Sequence, residues 1–303
     1  MLRTGCAWVL LLALAVAGCS PKRMGMNRMA DALAATAGTY RWDNDIELVR
    51  AAAPSTLKLV EMMLEQSPEH AGLLSTACSG FAQYAYGFLQ LDSEIAEPST
   101  PAAAAELKVR AGRMYERAKG YCIRTIETRH RGFRAELAKD ATTALARTSG
   151  EDVAALFWLG VAWGGELEVS DNSLMRLPEL VSVRRVLNRA LELDEAWERG
   201  AIHEALIVFD GMPVLLGGSV ERATKHFERA VALSEGQSAF AYVTMASRVS
   251  LPIRDRQAFD RHLKAALAID VNRDLTVRLA NLLAQKRARF LISRTSALFS
   301  SSR

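Results

Sequence analysis

VERATKHFERAVALSE, residues 220–235, decides the fold. Ala223, Phe227 and Ala230 stand at relative spacings 0, 4 and 7, and the segment closes at Glu235, five residues on. At 3.6 residues per turn this places all three on one helix face, against which a preceding helix must pack. The spacing recurs at Val183-Leu187-Ala190-Glu195 and Phe259-Leu263-Ala266-Val271. Earlier copies are Thr56-Val60-Met63-Pro68 and Ala111-Tyr115-Ala118. Three copies end on nearly the same text: ALELDE (190–195), AVALSE (230–235) and ALAIDV (266–271).

This is the second-helix signature of a tetratricopeptide (TPR) repeat. The first helix of such a pair wants apolar, apolar, small and aromatic residues at spacings 0, 3, 4 and 7. Leu156-Leu159-Gly160-Trp163 matches well and Leu74-Ala77-Cys78-Phe81 fairly. Ala201-Glu204-Ala205-Val208 matches in part; Ala241-Thr244-Met245-Arg248 and Val277-Ala280-Asn281-Ala284 match poorly. Helix ends fall 40 and then 36 residues apart (195, 235, 271), against about 34 in a regular array. Longer connections interrupt the pattern at 91–102 and 168–178. Strand-length alternation of β-branched residues is absent.

The expected fold is therefore all-α: a degenerate TPR-like helical-hairpin solenoid over residues 44–303, a right-handed superhelix of about 10–12 helices. Asp45, Ser67, Ser99, Ser149, Ser219 and Asp255 are placed to start helices. Leu275–Phe299 reads as one long basic amphipathic helix capping the last repeat, with membrane or acidic-partner contact as the rival reading.

The N-terminus reads MLRTGCAWVLLLALAVAGCS. Arg3 precedes an apolar run too short to span a bilayer, and the run ends in the lipobox Val16-Ala17-Gly18-Cys19. Residues 1–18 are expected to be a lipoprotein signal peptide and Cys19 the acylated residue, with 19–43 a linker. Acylation, palmitate included, would tether the chain to a membrane. Ser20 is compatible with outer-membrane sorting. No later run is long enough to cross a membrane; the densest, Val153–Gly165, is closed by Glu166.

Chemistry-bearing motifs are lacking. A net charge of +4 on 303 residues, 50% of them hydrophobic, excludes disorder and gives no basic stripe for nucleic acid. His203-Glu204 begins like HExxH, but position 207 is Ile; His203 reads as a buried, hydrogen-bonded core residue. Gly217-Gly218-Ser219 is a turn and cap, and Asp43-Asn44-Asp45 is a cap rather than a calcium loop. Cys78 and Cys122 sit inside expected helices and read as free buried cysteines, with pairing in an oxidising compartment as the alternative. No catalytic, cofactor or metal site is expected. The aromatic residues of SGFAQYAYGF (79–88) and FWLGVAWGG (157–165) stand at helical spacing, as core packing or as the wall of an apolar cavity.

Read in order, several segments resemble one family: the lipobox, CSGFAQYAY (78–86), RHRGF (129–133), FWLGVAWG (157–164), GAIHEALI (200–207), GGSVERATKHFERAVALS (217–234) and LANLLAQKRARFLI (279–292). The chain is similar to the T component associated with TRAP transporters, a lipoprotein often called TatT. One departure is Arg131, where a proline is expected. The resemblance covers the mature chain. It implies a periplasm-facing TPR-like lipoprotein that forms a homotrimer, binds the P-component solute-binding protein and carries a hydrophobic channel. Phe81, Tyr84, Phe88, Trp158 and Trp163 are the expected channel wall. A TPR scaffold lipoprotein serving outer-membrane or secretion-machinery assembly is the alternative, and a hydrolase using His203 and Glu204 a weaker one.

Overall fold

The computed structural model describes residues 28–34, 37–170 and 173–300. The signal peptide, the lipobox and Cys19 lie outside the described residues. Among these residues the chain is helical throughout, with no strand. A short helix α1 (28–34) and a 3-10 turn (Ala37–Trp42) lead to α2 (Ile46–Gln66). Asp45 starts α2, its carboxylate accepting the N–H groups of Glu47 and Leu48. Helix α3 (Ala71–Tyr84) runs through a π turn (Ala85–Gln90) into α4 (Leu91–Ala96). Then come α5 (Pro101–Glu127), α6 (Phe133–Lys139), α7 (Ala141–Ala146), α8 (Val153–Val169) and α9 (Leu177–Leu193). The C-terminal part holds α10 (Ala201–Asp210), α11 (Val220–Leu233), α12 (Ala239–Met245) with a second π turn (Ala246–Ser250), α13 (Arg256–Ala268), α14 (Arg278–Ser293) and α15 (Thr295–Ser300).

Ser149, Ser219 and Asp255 also cap as expected, Ser149 through a capping box with Asp152. Ser67 and Ser99 do not. Ser67 closes α2, and His70 caps α3 by accepting the Leu73 N–H at 3.2 Å. Ser99 lies one residue too early, because Thr100 precedes Pro101 at the first position of α5.

The spaced residues of the second helices point inward. Val183, Leu187, Ala190, Ala223 and Ala230 are fully buried. So are Phe259, Leu263 and Ala266, with Ala111, Tyr115 and Ala118 beside them. Burying one such large apolar side chain contributes roughly 1.5–3 kcal/mol. Helix α5 packs on α3 and α8, α9 on α8, α11 on α10, and α13 and α14 on α12. Among the described residues apolar cores follow in chain order around α2–α3–α5, α8–α9–α10 and α12–α13–α14, with a smaller fourth between α10, α11 and α12.

Two sequence expectations are corrected here. Cys78 and Cys122 are joined in a disulfide. Both are buried, as read, but α3 and α5 lie side by side and bring their Cα atoms to 4.7 Å, a juxtaposition that 44 residues of separation do not reveal. The tail is not one helix. A 3-10 turn (Leu275–Val277) precedes α14, and the chain breaks at Arg294 before α15. Nor does α14 end an open array with a polar outer face. Asn281 accepts the Ala239 N–H at the start of α12, and Gln285 donates to the carbonyls of Ala266 and Ile269 at the end of α13. Lys286 and Arg287 then pair with Asp92 and Glu94 on α4. The start of α14 meets the turn that precedes α2: Arg41 donates to the Thr276 carbonyl and Arg278 to that of Trp42.

Candidate functional site

Because α14 closes against the N-terminal segment, the helices surround a cavity of about 840 Å³. That is within the ~300–1,000 Å³ of small-molecule sites. From the first π turn and the end of α3 come Tyr84 and Phe88; from α8 come Phe157, Trp158 and Val161. Helix α10 presents Ala201, Glu204, Ala205 and Val208, spaced 0, 3, 4 and 7, and so along a single face. Trp197 and Phe240 complete the aromatic surface. The glycines of α8 serve close packing more than they open a passage. A Cβ on Gly160 would come 2.5 Å from the Leu187 side chain, and one on Gly165 would meet the Tyr115 ring at the same distance.

One end of the cavity is polar. Arg248, from the second π turn, pairs with Glu168, and Arg287 donates to Glu94 at 2.8 Å. The Tyr115 hydroxyl donates to Gln90, and the Tyr86 ring packs edge-on against Phe240 at 5.5 Å. A π turn adds a residue to the helical circuit and re-aims the side chains around it; here the two π turns bring Tyr86 and Arg248 to the same layer. A second cavity, of about 500 Å³, lies beyond, and Tyr86, Gln90, Glu168, Arg248 and Arg287 line both. Glu168 sits deep in the fold yet leaves 37% of its side chain uncovered, because that surface faces the cavities. Burial raises its carboxyl, but Arg248 outweighs this, helped by Arg287 and Gln90, and holds it below the usual carboxylate range. Burial works against the Arg287 charge, and nearby Tyr86, Glu94 and Glu168 overcome it, raising its pKa.

The opposite rim carries the ion pairs Arg41–Glu198 and Arg199–Asp274. Glu198, Arg199 and Gly200 have successive positive φ of 44°, 57° and 94°. For the two non-glycine residues this conformation costs roughly 1 kcal/mol or more each. It turns the chain sharply into α10, and Arg199 also donates to the Ser234 carbonyl at 3.1 Å. Two polar groups of the wall stand apart. Glu204 has no cationic partner among the described residues; burial raises its carboxyl to about 7, outweighing a hydrogen bond with Ser238 that pulls the other way. Thr244 is buried, and its hydroxyl has no hydrogen-bond partner among the described residues.

Of the expected wall residues, Tyr84, Phe88 and Trp158 line the cavity together. Phe81 and Trp163 do not. Phe81 turns toward α5, where its ring stacks on Tyr121 at 5.8 Å. Trp163 lies five residues beyond Trp158, ~140° round the helix, and its indole N–H donates to Glu179 at 2.6 Å. His203, adjacent to Glu204, faces away from the cavity; it is buried and bonds to His226 at 2.7 Å and Glu195 at 3.2 Å. Sequence reasoning did not single out Thr244, Arg248, Asn281 or the role of Glu204. The signal was present: all four occupy positions where the first-helix signature fails, and all four line the cavity.

No helix among the described residues is long and apolar enough to cross a membrane. In sequence the chain is similar to an uncharacterised protein of Treponema pallidum (strain Nichols), 27% identical over 314 residues and covering 97% of each chain. Residues 42–299 match the family described as TRAP transporter T-component. That match takes in the helices that wall the cavity, from α2 to α14, and by it the chain belongs to the TRAP transporter T-component family.

Proposed function

We propose that the protein is a periplasm-facing, lipid-anchored accessory component of a TRAP-type transport system, which binds the P-type solute-binding protein and holds an apolar solute in its cavity. The observation that carries this reading is the aromatic-walled cavity of about 840 Å³ inside a chain of this family. In the proposal, residues 1–18 are removed and Cys19 carries the lipid, with 19–43 as tether. Residues 44–303 then form a TPR-like, right-handed helical array that assembles as a homotrimer. The inward faces of α9, α11 and α13 support the repeat reading. Tyr84, Phe88 and Trp158 are the proposed ligand wall, joined by Phe157 and Val208. Outer-membrane placement rests on Ser20 alone.

The test is capture of the tagged lipoprotein from cross-linked cells, followed by mass spectrometry of its partners. Recovery of a solute-binding protein with TRAP membrane subunits supports the proposal. Recovery of barrel-assembly or secretion components without a solute-binding protein replaces it with the scaffold reading.

A further inference from the structure

The charges around the cavity do not cancel evenly. Each arginine of the wall already has a carboxylate: Arg41 has Glu198, Arg199 has Asp274, Arg248 has Glu168 and Arg287 has Glu94. The acids of the wall are Glu168, Glu198 and Glu204, and of these Glu204 alone has no cation among the described residues. It stands on a face of α10 whose other members, Ala201, Ala205 and Val208, are apolar. A buried carboxylate with no counter-charge is costly unless something else supplies one.

This arrangement selects a headgroup. An anionic head would have to break one of the four ion pairs and would leave Glu204 still unmatched. A cationic head supplies the missing counter-charge and opens no existing pair. Phe157, Trp158 and Trp197 add ring faces whose negative potential attracts a cation. Resting on the reading that the cavity holds a solute, we propose that its ligand is an apolar amine. The ammonium binds the Glu204 carboxylate, while the hydrocarbon part lies against Phe157, Trp158 and Val208.

The experiment titrates the purified full-length chain with octylamine, octanol and octanoate, following quenching of tryptophan emission, since Trp158 and Trp197 belong to the wall. It is run near pH ~8, above the Glu204 carboxyl and below the ~10 of an alkylamine. Octylamine is expected to bind at least about tenfold more tightly than octanoate. Glu204→Gln, which keeps the side-chain shape, should bring octylamine down to the octanol value with circular dichroism preserved and Tm no lower than the parent's. If octanoate binds as tightly as octylamine, or the amine preference survives Glu204→Gln, the amine assignment is overturned while the cavity reading stands. Failure of all three probes to bind overturns the cavity reading and this inference with it.

Discussion

In α8 the four signature positions, Leu156, Leu159, Gly160 and Trp163, are given over to packing. The two leucines are fully buried, Gly160 lies against Leu187, and Trp163 is held by Glu179. Along α12 and its π turn the same positions carry Ala241, Thr244, Met245 and Arg248, and Arg248 places its guanidinium on the cavity. Both helices begin a hairpin, and both contribute to one wall. The difference teaches that on a helix face otherwise given to packing, a polar mismatch locates chemistry. A carboxylate or guanidinium in place of a core residue is a loss to packing alone, so the exceptions at 204 and 248 mark polar groups of the cavity wall.

The sharpest way to break this comparison is to truncate one member of each set. Leu159→Ala in α8 should cost about 2–5 kcal/mol in urea unfolding. If Thr244→Val cost as much, Thr244 would be a packing residue and the contrast would vanish. A second test separates the stapled part of the chain from the unstapled part. Removing the Cys78–Cys122 bond by Cys78→Ala with Cys122→Ala, or by reductant, opens a loop of 44 residues and should cost about 2–4 kcal/mol. Amide exchange should loosen α3 and α5 more than α12–α14.

Third, Glu204 should make stability depend on pH. Its carboxyl moves from 4.5 in the unfolded chain to about 7 in the fold. The folded state therefore binds more protons between these values, and stability falls as pH rises through that window. Glu204→Gln should remove this slope, leaving the variant about 1–3 kcal/mol more stable than the parent above pH ~8 and close to it below pH ~4. A parallel slope in both proteins would show that Glu204 is not the group responsible. The smallest effect is expected at Thr244→Val. With no partner to lose, the substitution should be neutral or stabilise by up to about 1 kcal/mol, read as a rise in Tm.

Much of this was legible from periodicity. The Ala223-Phe227-Ala230 face fixes both the helix and the side it buries, because a helix of 3.6 residues per turn leaves no other arrangement for that spacing. Caps at Asp45, Ser149, Ser219 and Asp255 were legible for the same local reason. What escaped depends on contacts distant in sequence. Cys78 meets Cys122 only through the packing of α3 on α5. Phe81 and Trp163 turn from the cavity because Tyr121 and Glu179 offer them other partners. The break at Arg294 falls inside a run whose composition is uniformly helical.

The contacts between α14 and the first residues of the fold set an order of assembly. Arg278 and Trp42 are 236 positions apart, and Arg287 and Glu94 are 193. Joining segments so distant is entropically late, since the intervening chain must be settled before they can meet. Each hairpin can form from neighbours as it emerges, but the cavity cannot. However the polypeptide is delivered, the space it encloses comes into being only when the last long helix is released, so the ligand site is the final product of folding and not a stage along the way.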